Sequence, residues 1–465
     1  MRLLVKNGSV VTPDGVQEVD VLCENGTIAA LLERGFEVDA DEVVDVTGQL
    51  VFPGFIDPHV HSRDPGLTEK EDFAHSTLGA LTGGVTTILE MPNAIPPVDS
   101  ADMFRQRREH HEQVAWVDFG LWGIAIGDSN LDEIGPMFAE GAAAVKLFWG
   151  YALRKDTKQL VYNMGDEPPE NLILPPENGG VLRIFKAVAA AGGLLGVHCE
   201  DRDILAASEE ELGHPIESYD DLLAARPAIA EATSIAVGAQ FSKATGCRFH
   251  VVHMASEAGA DVVRAAQDEG LPVTAETCPQ YLSLSAEDYE RIGPMMKVYP
   301  PIRGVENQES LWEAVNDGTI VSIGSDHAPH TVEEKSQPLA TQPAGGVGCE
   351  TFGPVMLDQM FKGGTTPERF AEVMSTSTAK LYGLYPRKGA ILPGSDADLT
   401  IVDPEATWTV RNEELVAKQP TSAWNGFELK GMPTTVILRG EVAMKDRKPV
   451  GERRGRFVAA RHDSE

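Results

Sequence analysis

The stretch GFIDPHVHSRDPG, residues 54–66, decides how the rest of the chain is read. An apolar run ends in two histidines one residue apart, His59 and His61, and Arg63 follows. Side chains at i and i+2 on a strand point to the same face, so both imidazoles can grip one ion from a single strand end. Imidazole suits zinc and related metals, and a carboxylate adds a hard oxygen ligand. One HxH pair is weak evidence by itself. Its meaning depends on what other strands deliver to the same place.

Working outward, short β-branched runs alternate with helical patterns, as in CRFHVVHMAS, then EAGADVVRAAQDEG, then LPVTAETCP. Repeated strand, helix, strand units predict parallel strands with crossover helices, and the length suits a (β/α)8 barrel. Barrel enzymes assemble their sites at the C-terminal ends of the strands. There GAAAVKLF carries Lys146, GGLLGVH ends in His198, FHVVH in His253 and TIVSIGSD in Asp326. The intervals assign these groups to strands one, four, five, six and eight.

Lys146 is the unusual member, because an ammonium among cations is electrostatically costly. Carboxylation by carbon dioxide turns it into a carbamate, whose two oxygens and negative charge can bridge two ions. Bound cations depress the pKa of water sharply, so hydrolysis is the chemistry such a cluster suits. Asp326 is the candidate catalytic group, taking the proton of the attacking water and handing it to a leaving nitrogen.

The ends of the chain read differently. RLLVKNGSVV and VQEVDVLCENGTIAALL are β-rich with Asn-Gly turn signals, and GAILPGSDADLTIVD and TTVILRGEVAMKD near the other end match them. One composite β-domain is expected from residues 1–51 and 387–450, around a barrel of residues 52–386, with a tail at 451–465. Loops over the barrel mouth are expected at NMGDEPPENLILPPENGG and SQPLATQPAGG.

Composition limits the partners. The 465 residues carry 71 acids against 39 bases, a formal charge of −32, which repels phosphate backbones and anionic lipid. Nucleic acid and membrane partners are not expected, and the N-terminal apolar run is too short for a signal peptide. Five scattered cysteines without a CxxC pair fit a reducing cytoplasm.

Taken together, GFIDPHVHSRDPG, GGVTTILEMPNAIPP, VKLF, GVHCED, VVHMAS, SDHAPH and GSDADLTIVD resemble the motifs of the cyclic amidohydrolases, which include dihydroorotase, hydantoinase or dihydropyrimidinase, and allantoinase. The resemblance spans nearly the whole chain and implies a barrel with a β-sandwich built from both termini. It implies that His59, His61 and Asp326 hold one metal, His198 and His253 a second, and carboxylated Lys146 bridges them. Two Zn²⁺ are expected, with Mn²⁺ or Co²⁺ as alternatives. The small-molecule substrate is a cyclic amide, and a homo-oligomer, dimer or tetramer, is implied.

Substrate choice rests on fewer positions. Arg63, Asn93 and His330 match places that hold the substrate carboxylate in dihydroorotases, and an arginine fork suits a carboxylate. That makes dihydroorotate, interconverted with N-carbamoyl-aspartate, the first expectation. Tyr151 instead resembles the tyrosine that steadies the oxyanion in hydantoinases. Tyr299, in KVYPPIR, also stands where dihydroorotases commonly have asparagine. The alternatives are a hydantoinase or allantoinase acting on an uncharged ring and, more distantly, a non-catalytic scaffold.

Overall fold

The computed structural model describes residues 1–161 and 167–462. Eight parallel strands form one sheet: β1 Phe55–Val60, β2 Val85–Glu90, β3 Asp118–Ile124, β4 Ala144–Trp149, β5 Leu194–Cys199, β6 Arg248–Val251, β7 Val273–Thr277 and β8 Ile320–Ile323. They neighbour one another in chain order, and a bridge between Val60 and His327 brings the last strand back to the first. The expected (β/α)8 barrel is therefore what the chain forms. Most strand residues are buried, as parallel strands covered by crossover helices must be.

The helices between the strands are capped where the sequence supplies caps. Asp72 accepts from the His75 amide at the start of α1, Phe73–Thr82, and Ser256 accepts from the Gly259 amide ahead of Glu257–Asp268. Among the described residues one stretch, Tyr219–Thr245, is long and apolar enough on average to suit a membrane span. It is instead two helices, Tyr219–Ala225 and Ala228–Thr245, broken at Arg226–Pro227, with 56% of the apolar window buried in the protein.

Both termini build the β-domain. Strands from residues 2–45 make a four-stranded sheet. A seven-stranded sheet joins Ser9–Thr12, Gly15–Gln17 and Leu50–Pro53 to Leu399–Thr409, Glu428–Leu438 and two strands beyond. Leu3, Val10, Val21, Val51, Leu399, Ile401 and Ile437 share its core. At the junction with the barrel, the buried Lys388 Nζ lies 2.6 Å from Asp118, 2.9 Å from Asp396 and 2.5 Å from Asp398. Removing one partner from such a buried cluster costs on the order of 3–5 kcal/mol, because charge is left uncompensated.

Residues 456–460, within the expected tail, pack against the barrel. The Phe119 amide donates to the Arg456 carbonyl at 3.0 Å and the Val458 amide to the Phe119 carbonyl at 2.8 Å, so residues 456–458 run along β3. Val458 and Ala460 are buried in the same cluster as Trp122. Apolar residues in an otherwise charged segment are what anchor it. The loop expected at residues 163–180 begins within 162–166, outside the described residues, and continues into the helix Asn178–Ala190.

Candidate active site

Strand geometry brings the distant side chains to one end of the barrel. His59 lies in β1 and His61 just beyond it, Lys146 in β4, His198 in β5, His253 two residues after β6 and Asp326 three after β8. All six line one cavity, together with Arg63, Phe148, Tyr151 and Tyr299. Arg63, His253 and Asp326 have positive φ, of 64°, 41° and 49°, a region disfavoured for residues with a Cβ and frequent at functional sites. Gly324 is needed nearby, since a Cβ there would sit 2.8 Å from the His59 Cβ.

The donor atoms form two groups. On one wall Asp326 Oδ1 is 3.4 Å from both His59 Nε2 and His61 Nε2. On the other, His198 Nδ1 is 3.0 Å from His253 Nε2. Metal–nitrogen distances of about 2.0–2.1 Å in a tetrahedral shell require ligand atoms about 3.3 Å apart, close to these separations. Between the walls, the fully buried Lys146 Nζ has no hydrogen-bond partner, and neither does His59 Nε2. Most buried polar atoms in proteins find a partner, and these two belong to residues that line the cavity, so they fit a site that takes a bound cation beside a carboxylated lysine.

Electrostatics favours the same reading. Burial lowers His61 to about 4 and also lowers His198 and His253, so the imidazoles are neutral and their lone pairs available. Burial brings the Lys146 amine down to about 8, against the pull of Glu276 and Asp326. A fraction of that amine is thus unprotonated near neutral pH, the form that reacts with carbon dioxide. Burial pushes the Asp326 carboxyl up, but His59 and His61 more than offset this and hold it below its ordinary value. An ionised carboxylate is able to accept a proton.

Each wall is braced from behind. His59 Nδ1 meets Glu276 Oε1 at 2.5 Å, and Tyr382 donates to the other oxygen at 3.2 Å. His61 Nδ1 meets Asn93 Oδ1 at 2.6 Å. His198 Nε2 lies 2.9 Å from Glu200 Oε2, and Arg226 clasps that carboxylate. Such partners fix a ligand ring's tautomer and orientation. Sequence reasoning missed Glu276, Glu200 and Arg226. A charged residue inside the apolar strand β7 was the available signal for Glu276, and nothing local marks Arg226.

The expected substrate-binding residues divide. Arg63 and Tyr151 stand on the cavity wall, whereas Asn93 and His330 stand behind it. Asn93 presents its carbonyl oxygen to His61. The buried His330 has Nε2 3.0 Å from the Ala344 carbonyl and 3.3 Å from Arg63 Nη2, and Nδ1 3.2 Å from Lys70 Nζ. Arg63 also donates through Nε to the Pro329 carbonyl at 3.0 Å. These contacts tie the loops together, and they differ from the three-point carboxylate cradle expected from the sequence.

The model of the amidohydrolase family matches residues 50–443. This chain belongs to the amidohydrolase family. An L-hydantoinase of Paenarthrobacter aurescens is 34% identical over 99% of this chain and 98% of its own length. An allantoinase of Streptomyces avermitilis is 36% identical over 96% of each. Among solved structures, the L-hydantoinase (dihydropyrimidinase) from Arthrobacter aurescens superposes on this amidohydrolase with a TM-score of 0.91 at 33% identity, covering 98% of this chain and 99% of that one. The nearly full-length similarity to proteins named hydantoinase and allantoinase supports hydrolysis of cyclic amides, and favours the hydantoinase and allantoinase alternative over the dihydroorotate expectation.

Proposed function

We propose that the protein opens an uncharged cyclic ureide, a hydantoin-type ring, by hydrolysis of a ring C–N bond. The observation that carries this reading is the cavity wall itself. Tyr151 stands beside the six candidate ligands, and the one arginine there, Arg63, has Nε and Nη2 already engaged by Pro329 and His330. The nearly full-length similarity to proteins named hydantoinase and allantoinase supports it, since allantoin is itself a substituted hydantoin.

His59, His61 and Asp326 would hold one divalent cation and His198 and His253 a second, with carboxylated Lys146 between them. Such ions, Zn²⁺ by preference, acidify water and polarise the amide carbonyl. Asp326 accepts the proton of the attacking water and returns it to the ring nitrogen as the C–N bond breaks. Tyr151 donates to the oxygen that gains charge, and Arg63 holds the ring. Asn93 and His330 act through the groups they brace.

Turnover of hydantoin, dihydrouracil, allantoin and dihydroorotate by purified, metal-loaded protein tests the proposal. Uncharged rings are expected to react and dihydroorotate to be slow, and the reverse order would restore the acid-selecting role of Arg63. Isotope-labelled bicarbonate should give a carbamate resonance that Lys146→Ala lacks. The five cysteines are buried and unpaired, as suits a reducing cytoplasm, and light scattering would show whether the chain is a dimer or tetramer.

A further inference from the structure

Arg226 is a buried guanidinium wedged between the cavity wall and the helix junction behind it. It caps the C-terminus of Tyr219–Ala225, and Pro227 directly begins Ala228–Thr245, so its backbone is held from both sides. Its Nη2 donates to the Tyr151 hydroxyl at 2.8 Å and also to Glu200 Oε2. Its Nε donates to Glu200 Oε1 at 3.1 Å, and its Cζ lies 3.7 Å from the centre of the Tyr299 ring. Burial disfavours the charge, yet Glu200 and the two phenols hold the guanidinium firmly protonated.

A guanidinium has donors only. The Tyr151 oxygen must therefore receive from Arg226, which directs the phenol's own proton away from it. In this structure that proton has Glu200 Oε2 in reach at 3.5 Å, a long contact that a carbonyl oxygen in the cavity would readily replace. The cation behind the phenol also makes it a stronger donor as negative charge develops in front. Resting on the ring-opening reading above, we infer that Arg226 is a positioning residue for the reaction, setting Tyr151 as a one-way donor to the oxyanion. Its clasp on Glu200, which holds His198, is a separate structural task.

A double-mutant cycle separates the two tasks. Tyr151→Phe is expected to lower kcat by about 10²-fold, as loss of one oxyanion donor does, and Arg226→Gln by roughly 10–100-fold with KM little changed. In the Tyr151→Phe background the same Arg226→Gln change should cost less than about threefold, because the group it acts through is gone. Arg226→Lys should recover part of the rate. Metal content, measured on every variant, should stay at the wild-type value. Losses that multiply in the double variant, or metal lost in step with activity, would overturn the assignment and leave Arg226 a brace of His198. A wild-type enzyme that opens none of the rings would sink the ring-opening reading and the assignment together.

Discussion

The two walls of the cavity present the same kind of atom by different constructions. On the β1/β8 wall, two histidines from one strand meet an aspartate, and each imidazole is held from behind by an oxygen of Glu276 or Asn93. On the β5/β6 wall, His198 and His253 come from neighbouring strands. Glu200 holds the first, while Nδ1 of the second is buried without a hydrogen bond. A ring fixed from behind has one orientation to offer, whereas a ring held on one side only can turn. The β1/β8 wall is thus preformed, and the β5/β6 wall depends more on what it binds.

The largest effects should come from the preformed wall. On the proposed mechanism Asp326→Ala would remove a ligand and the proton carrier together, so kcat should fall at least about 10³-fold and no added metal should restore it. His253→Ala should remove one equivalent of metal while the ion proposed for the β1/β8 wall stays, which metal analysis after gel filtration would show. If His253→Ala empties both positions, the walls are one cooperative unit and the contrast drawn here is wrong.

The braces sharpen the contrast. Glu276→Gln keeps the shape of the side chain but weakens the hold on His59, His250 and Tyr382, and should lower metal affinity on its wall by roughly 10–100-fold. Glu200→Gln should act similarly on the other wall and also release Arg226. Competition with a chelator of known affinity measures both. Equal losses from both walls in either variant would show that the brace does not act locally.

What the sequence disclosed follows the same division. His59 and His61 were legible because the strand period places both on one face within three residues, and Asp326, His198 and His253 because each closes an apolar run. The barrel and the two-ended β-domain were legible for the same reason, alternation and turn signals being local. Glu276 was not, because its partners lie on β1, on β6 and at Tyr382, just past the helix Ser377–Leu381, and only the fold brings them together. Asn93 was found, but its role was misjudged. MPN looks the same whether its amide faces a substrate or the back of His61. The packing of residues 456–460 within the expected tail was hidden in another way, since RFVAA is a short apolar run in a charged segment with no partner in view until β3 supplies an edge for it.

The smallest effect tests that misjudged residue. Asn93 Oδ1 is the acceptor that turns His61 Nδ1 into a donor and so leaves Nε2, beside Asp326, with its lone pair exposed. Asn93→Ala leaves the tautomer unfixed but removes no ligand, so water can replace the amide at this partly exposed position. A loss of about tenfold in metal affinity, the low end for such a partner, is expected. KM for an uncharged ring should change little, and raising the metal concentration should restore most of kcat. A residue that held the substrate directly would behave in the opposite way, with KM raised at every metal concentration and metal affinity untouched. Asn93→Asp sharpens the test, since a carboxylate accepts from His61 at least as well as an amide. Retained metal binding in Asn93→Asp, alongside its loss in Asn93→Ala, would assign Asn93 to the wall and not to the ring.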